Sequence, residues 1–178
     1  ALKMISPRLA HKTEAGAVVL NLKDESSLSL AAAKMKRDVT AYDARAVSEL
    51  FLVEAMSPKP LAELIVNIRQ DPQFGAALVL GSGGILVELL ADSTTLLLPT
   101  RPIEIIRALK SLRVGRLLEG FRGRPAADIA KLAAEIYKLS ISYQENIKSI
   151  AEIEINPLFV YQAEVSAIDV LIQVPNEK

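Results

Sequence analysis

Ala76-Ala77-Leu78-Val79-Leu80 runs as an apolar strand into Gly81-Ser82-Gly83-Gly84, and Ile85 to Leu90 continues as apolar residues. This stretch decides the fold class. Glycines let backbone N–H groups approach a phosphate. A phosphate loop or a dinucleotide fingerprint needs a helix directly after the glycines. Here the pattern is strand, glycines, strand, so neither doubly wound arrangement fits. Taken alone, the same glycines favour a hairpin loop over a phosphate site.

Upstream, Glu63 to Arg69 reads as a strand joined to Ala76–Leu80 through Asp71-Pro72-Gln73-Phe74-Gly75, which has turn chemistry. Thr94 to Leu98 is a further strand, turned from Ile85–Leu90 at Asp92-Ser93. At the N-terminal end, Leu2 to Ile5 and Val18 to Leu22 are short strands. A helix capped by Ser26 or Ser27 follows, with Leu28, Ala32, Met35 and Val39 on one face. Leu50 to Met56 reads as a buried strand broken only by Glu54. Downstream, Pro102 opens a helix, and a second helix spans about Ala126 to Ser140. Glu152 to Val160 and Ala167 to Val174 close the chain as strands. Strands in blocks around a helical segment indicate an α+β fold.

Composition narrows the function. Of 178 residues, 51% are apolar and 24% charged, enough for a buried core. Lys plus Arg is 21 and Asp plus Glu is 21, so the basic excess of a nucleic-acid binder is missing. With no cysteine and one histidine, thiolate zinc sites, cysteine nucleophiles and multi-histidine metal sites are excluded. No apolar run approaches the roughly 20 residues of a membrane span, and no signal peptide is evident. Cytoplasmic residence is the expectation.

Four features carry chemistry. In Glu152-Ile153-Glu154-Ile155-Asn156-Pro157, alternation sets Glu152, Glu154 and Asn156 on one strand face. Oxygen donors of that kind suit Mg²⁺. Asp169 sits alone in the apolar run Ala167–Leu171, where a carboxylate needs a partner or a metal. If the two strands are antiparallel neighbours, Asn156 and Asp169 face one site; a solvated strand face is the other reading. Lys3 stands in an apolar strand and, if inward, needs an anion. Glu54 and Glu63 flank a turn and could bond an adenine amine and ribose hydroxyls, or simply mark strand ends. His11 is the only side chain that ordinarily titrates near neutrality.

Taken together, Lys3-Met4-Ile5-Ser6-Pro7, His11-Lys12-Thr13-Glu14-Ala15-Gly16, Asp71–Gly75, Gly81-x-Gly83-Gly84-Ile85-x-Val87-Glu88, Arg122-Gly123-Arg124-Pro125 and Glu154-x-Asn156-Pro157-Leu158 resemble the ATP-grasp domain of NDP-forming acyl-CoA synthetases. That domain is the counterpart of the β subunit of succinyl-CoA synthetase. The resemblance spans essentially residues 1–178 and implies an ATP-grasp fold, with two α+β lobes around a nucleotide. It implies an acid–thiol ligase that converts acid, CoA and ATP to acyl-CoA, ADP and phosphate.

By resemblance Lys3 meets ATP phosphate, Glu54-Ala55-Met56 forms the adenine hinge, and Glu63 reaches the ribose. Asn156 and Asp169 hold Mg²⁺, while Gly83, Gly84 and Glu88 line the phosphate-transfer end. His11 relays phosphate. The resemblance also implies that one lobe is incomplete at its N-terminal side. The CoA-binding and phosphohistidine-bearing domains would lie on the same polypeptide or a partner subunit. Nucleic acid and membrane are not expected partners. An alternative is a binding or regulatory module of a bacterial protein lysine acetyltransferase.

Overall fold

The structure is a computed structural model that describes residues 1–9, 12–84 and 91–175. The chain divides into two compact units, Ala1–Pro58 and Lys59–Lys178.

In the first unit, β1 (Leu2–Met4) is the centre of a three-stranded antiparallel sheet, flanked by β2 (Val18–Val19) and β3 (Phe51–Val53). Helix α1 (Glu25–Tyr42) packs on it. Asp24, not Ser26 or Ser27, caps α1: its carboxylate accepts from Ser27 N–H at 2.7 Å. Ser27 returns the bond by accepting from Asp24 N–H at 3.2 Å. Ala31, Met35 and Val39, four residues apart, are the buried stripe of α1, and they join Leu2 and Met4 in a small core. The expected buried strand at Leu50–Met56 is shorter and more open. Leu50 precedes the strand and is 67% exposed, and Val53, on β3 at the edge of its sheet, is 60% exposed.

The second unit holds a six-stranded antiparallel sheet in the order β6-β5-β4-β7-β8, with β9 also paired to β7. Its strands are β4 (Ala62–Asp71), β5 (Gly75–Ser82), β6 (Ser93–Leu97), β7 (Glu152–Val160), β8 (Val165–Ala167) and β9 (Val170–Gln173). The expected strand at 94–98 is β6, and it pairs with β5. The expected strand at 85–90 lies outside the described residues. The single expected strand at 167–174 is divided in two at Ile168-Asp169.

Helices α2 (Pro102–Ser111), α3 (Gly115–Leu118) and α4 (Ile129–Glu145) belong to this unit. Leu64, Val66 and Ile68 of β4, with Leu78 and Leu80 of β5, are buried together with Ile105 and Leu109 of α2 and Leu132 and Ile136 of α4. Each such side chain contributes about 1.5–3 kcal/mol by leaving water. Tyr143 is fully buried, and its hydroxyl donates to the Ala151 carbonyl at 2.9 Å, tying α4 to the start of β7.

The core takes Ala62, Leu64, Val66 and Ile68 of β4. The odd-numbered residues, Glu63, Ile65, Asn67 and Arg69, therefore stand on the opposite face. Among the described residues no helix is long and apolar enough to cross a membrane.

Candidate functional site

Strand β7 changes phase in its middle. Val66 faces Ile155 and Leu64 faces Leu158, so β7 spends three residues where β4 spends two. Asn156 and Pro157 share the position opposite Ile65, as a β-bulge. Proline has no N–H for a ladder and is at home in a bulge. Before the bulge the core residue is Ile153; after it the core residues are Leu158 and Val160. Glu152, Glu154 and Asn156 thus stay on the face away from the helices.

The neighbouring chain follows the same path. Ile155 pairs with Val170 and Leu158 with Ala167, so the register is unbroken on this side. Asn156 comes directly opposite Asp169, and its N–H donates to the Asp169 carbonyl at 3.1 Å. The break between β8 and β9 is the stretch that passes the bulge.

The glycine cluster reaches the same place. Gly83 N–H donates to the Glu63 carbonyl at 2.8 Å. Gly84 N–H donates to Asn156 Oδ1 at 3.2 Å. A Cβ on Gly83 would stand 2.4 Å from the Leu64 carbonyl carbon, and one on Gly84 would meet Glu63 Oε2 at 2.1 Å. Gly84 also has φ +64°, a conformation that favours glycine. Gly83 lies against the β4 backbone so closely that no side chain fits there.

Glu63, Gly83, Gly84, Asn156 and Asp169 are thereby gathered at one place in the second unit. Sequence reasoning missed Asn67. It is 7% exposed, faces Glu154 across the ladder, and donates through Nδ2 to Glu152 Oε1 at 2.5 Å and Glu154 Oε2 at 3.2 Å. A lone amide in the run Ile65-Val66-Asn67-Ile68 is the signal that could have found it.

Asn156 Oδ1 has a second lone pair beyond the one turned to Gly84, and Asp169 supplies a carboxylate. These are hard oxygen donors. Among the described residues no group of three or more His, Asp or Glu could hold a metal. Two protein oxygens suit an ion that brings phosphate oxygens and water with it, which is the habit of Mg²⁺.

Lys3 and Glu54 belong to the first unit. Lys3 Nζ pairs with Glu54 Oε2 at 2.8 Å, and Lys3 is buried while Glu54 is not. Glu54 N–H also donates to the Ala1 carbonyl at 3.0 Å, so β3 leads straight into Glu54-Ala55-Met56. Glu54 and Glu63, read in the sequence as flanking one turn, fall in different units. His11 and Glu88 lie outside the described residues.

Residues 1–174 match the ATP-grasp domain family. The chain is 35% identical over 175 residues to a prokaryotic trans-feruloyl-CoA synthase, covering 97% of this chain and 24% of that protein. It is 32% identical to the β subunit of ADP-forming acetate–CoA ligase II of Pyrococcus furiosus, covering 91% of this chain and 68% of that subunit. The chain thus spans about a quarter of the first relative's length. Among solved structures it superposes on PH1788 of Pyrococcus horikoshii with a TM-score of 0.90 at 30% identity, covering 99% of this chain and 74% of that one. Acetyl-coenzyme A synthetase 1 of Ca. Korarchaeum cryptofilum, solved with coenzyme A and Mg-AMPPCP and with its phosphohistidine segment pointing towards the nucleotide-binding site, gives 0.78 at 27% identity, covering 98% and 76%.

Proposed function

Because this chain belongs to the ATP-grasp domain family and is homologous to β subunits of ADP-forming acetate–CoA ligases, we propose that it is the nucleotide-binding and phosphate-transfer domain of an NDP-forming acyl-CoA synthetase. The reaction is carboxylic acid + CoA + ATP giving acyl-CoA + ADP + phosphate. The observation that carries this reading is the placement of Asn156 opposite Asp169, with the Gly84 N–H on the Asn156 amide.

Asn156 and Asp169 hold Mg²⁺, whose charge offsets that of the nucleotide phosphates. Gly83 and Gly84 bring backbone close to the transferred phosphate, and Glu88 acts at the same end. In the first unit Lys3 contacts phosphate and Glu54-Ala55-Met56 holds adenine. Glu63, whose carboxylate tip lies against Gly84, reaches the ribose. His11 accepts phosphate, since a neutral imidazole is a competent nucleophile near pH 7. CoA and the acid are bound by domains homologous to those of the larger relatives, one of which carries the main phosphohistidine. The setting is the cytoplasm.

The test is ADP formation by the intact protein with Mg²⁺, ATP and CoA against a panel of carboxylic acids. Acid-dependent ADP and acyl-CoA in equal amounts are expected. No acid-dependent turnover across the panel would overturn the reading.

A further inference from the structure

Asn67 does something that its place in β4 does not require. Among the described residues it is one of only a few buried polar side chains, and its Nδ2 is shared between two carboxylates on the next strand. The orientation of the amide is chemically settled. Turned the other way, Oδ1 would face both carboxylate oxygens and repel them. With Nδ2 on the carboxylates, Oδ1 is buried without a hydrogen-bond partner. A buried acceptor left in that state is destabilising. A strand built for stability alone would place an aliphatic side chain here, like Ile65 on the same face.

The two carboxylates are not equivalent. Glu152 faces Arg69 directly across the ladder. Glu154 faces Asn67 itself, and it stands two residues from Asn156 on the same face. Glu154 is therefore the carboxylate next to the Asn156–Asp169 pair. Mg²⁺ held by two protein oxygens and phosphate keeps several waters, and those waters need acceptors. Groups that take hydrogen bonds from a metal's ligands fix the geometry of the site and are worth about 10- to 100-fold in affinity.

We propose that Asn67 is a positioning residue of the cation site: it clamps the Glu154 carboxylate on the Asn156–Asp169 face, where Glu154 accepts hydrogen bonds from the water ligands of the bound cation. This rests on the Mg²⁺–nucleotide reading given above. Asn67 touches neither the cation nor the nucleotide, so its effect passes through Glu154.

The probe is Mn²⁺, titrated into the intact protein in the presence of ADP and followed by electron paramagnetic resonance. The variants are Asn67→Leu, Glu154→Gln and the two combined, each checked for folding by circular dichroism. Each single change is expected to weaken Mn²⁺ binding about 10-fold. The combined variant is expected to be no weaker than the worse single one, because a clamp has nothing to do once the charge it holds is gone. Should Asn67→Leu fail to fold, Asn67→Ser, which keeps one donor, takes its place in the cycle. Unchanged Mn²⁺ affinity in a folded Asn67 variant overturns the proposal, and so do fully additive losses. A wild-type protein that binds no Mn²⁺ with ADP overturns the nucleotide reading itself, whatever the variants do.

Discussion

The backbone N–H of Gly84 donates to Oδ1 of Asn156 at 3.2 Å, joining residues 72 apart in sequence. The glycine cluster and the Asn156–Asp169 pair are therefore one construction.

Asp169 contributes the one carboxylate of that pair. Asp169→Asn keeps the shape and removes the charge. It is expected to lower Mg²⁺-dependent nucleotide affinity at least about 10-fold. Calorimetry with Mg²⁺–ADP measures it; equal affinity in the variant would remove Asp169 from the site.

The three glycines near the turn and the site should differ in their tolerance of alanine. Gly83→Ala drives a Cβ into the Leu64 backbone and is expected to cost about 1–3 kcal/mol. Gly75 has φ +81° but open space around it, so Gly75→Ala meets only backbone strain of about 1 kcal/mol. At Gly84 the obstacle is the tip of the Glu63 side chain, which can move away, so Gly84→Ala meets backbone strain of about 1 kcal/mol from its positive φ and disturbs the site as well. Urea unfolding ranks the three.

Asp92 gives the second unit an acid-sensitive joint. Its carboxylate accepts from the Ser82 hydroxyl at 2.7 Å, Arg113 N–H at 2.8 Å and Val114 N–H at 3.1 Å. Burial alone would raise its pKa. The Arg113 N–H, the Ser82 hydroxyl and the Val114 N–H outweigh burial and hold it below the ordinary aspartate value. A lowered folded-state pKa adds stability above the unfolded pKa of about 3.9, and that stability is lost as pH falls through the folded value. Asp92→Asn is expected to cost about 1 kcal/mol at pH 7 and much less well below pH 3.9. Parallel stability curves from pH 7 to pH 2 would disprove the assignment.

For His11, label from γ-³²P ATP is informative. His11→Ala in the intact protein is expected to lower phosphoprotein formation and turnover together. If both stay at the wild-type level, the histidine has no part in phosphate transfer.

Much of the fold was readable because its signals are local. Pro102 marks the start of α2, and alternation gives β7 its observed limits of Glu152 and Val160. Asp169 could be picked out because a carboxylate in an apolar run is costly wherever it falls. The cap of α1 went to the wrong residue because Ser27 has cap chemistry but serves from the third helical position, with Asp24 in front of it. Asn67 was hidden for a different reason. Its partners lie 85 and 87 residues away, and no local pattern states which strands will be neighbours. The bulge left one trace, Pro157 in mid-strand, but the doubling of positions opposite Ile65 exists only once β4 and β7 are paired.

That doubling separates two demands on the Asn156-Pro157 dipeptide: what it is, and how long it is. Ile153 points to the helices on one parity and Leu158 and Val160 on the other. Removing one residue would merge the two parities and send one of these groups out of the core, even if the asparagine survived. Replacing Asn156 by another polar residue leaves the count unchanged and the core intact. Descendants of this domain that have abandoned the chemistry are thus free to change the letter at position 156, while a deletion there stays closed to them.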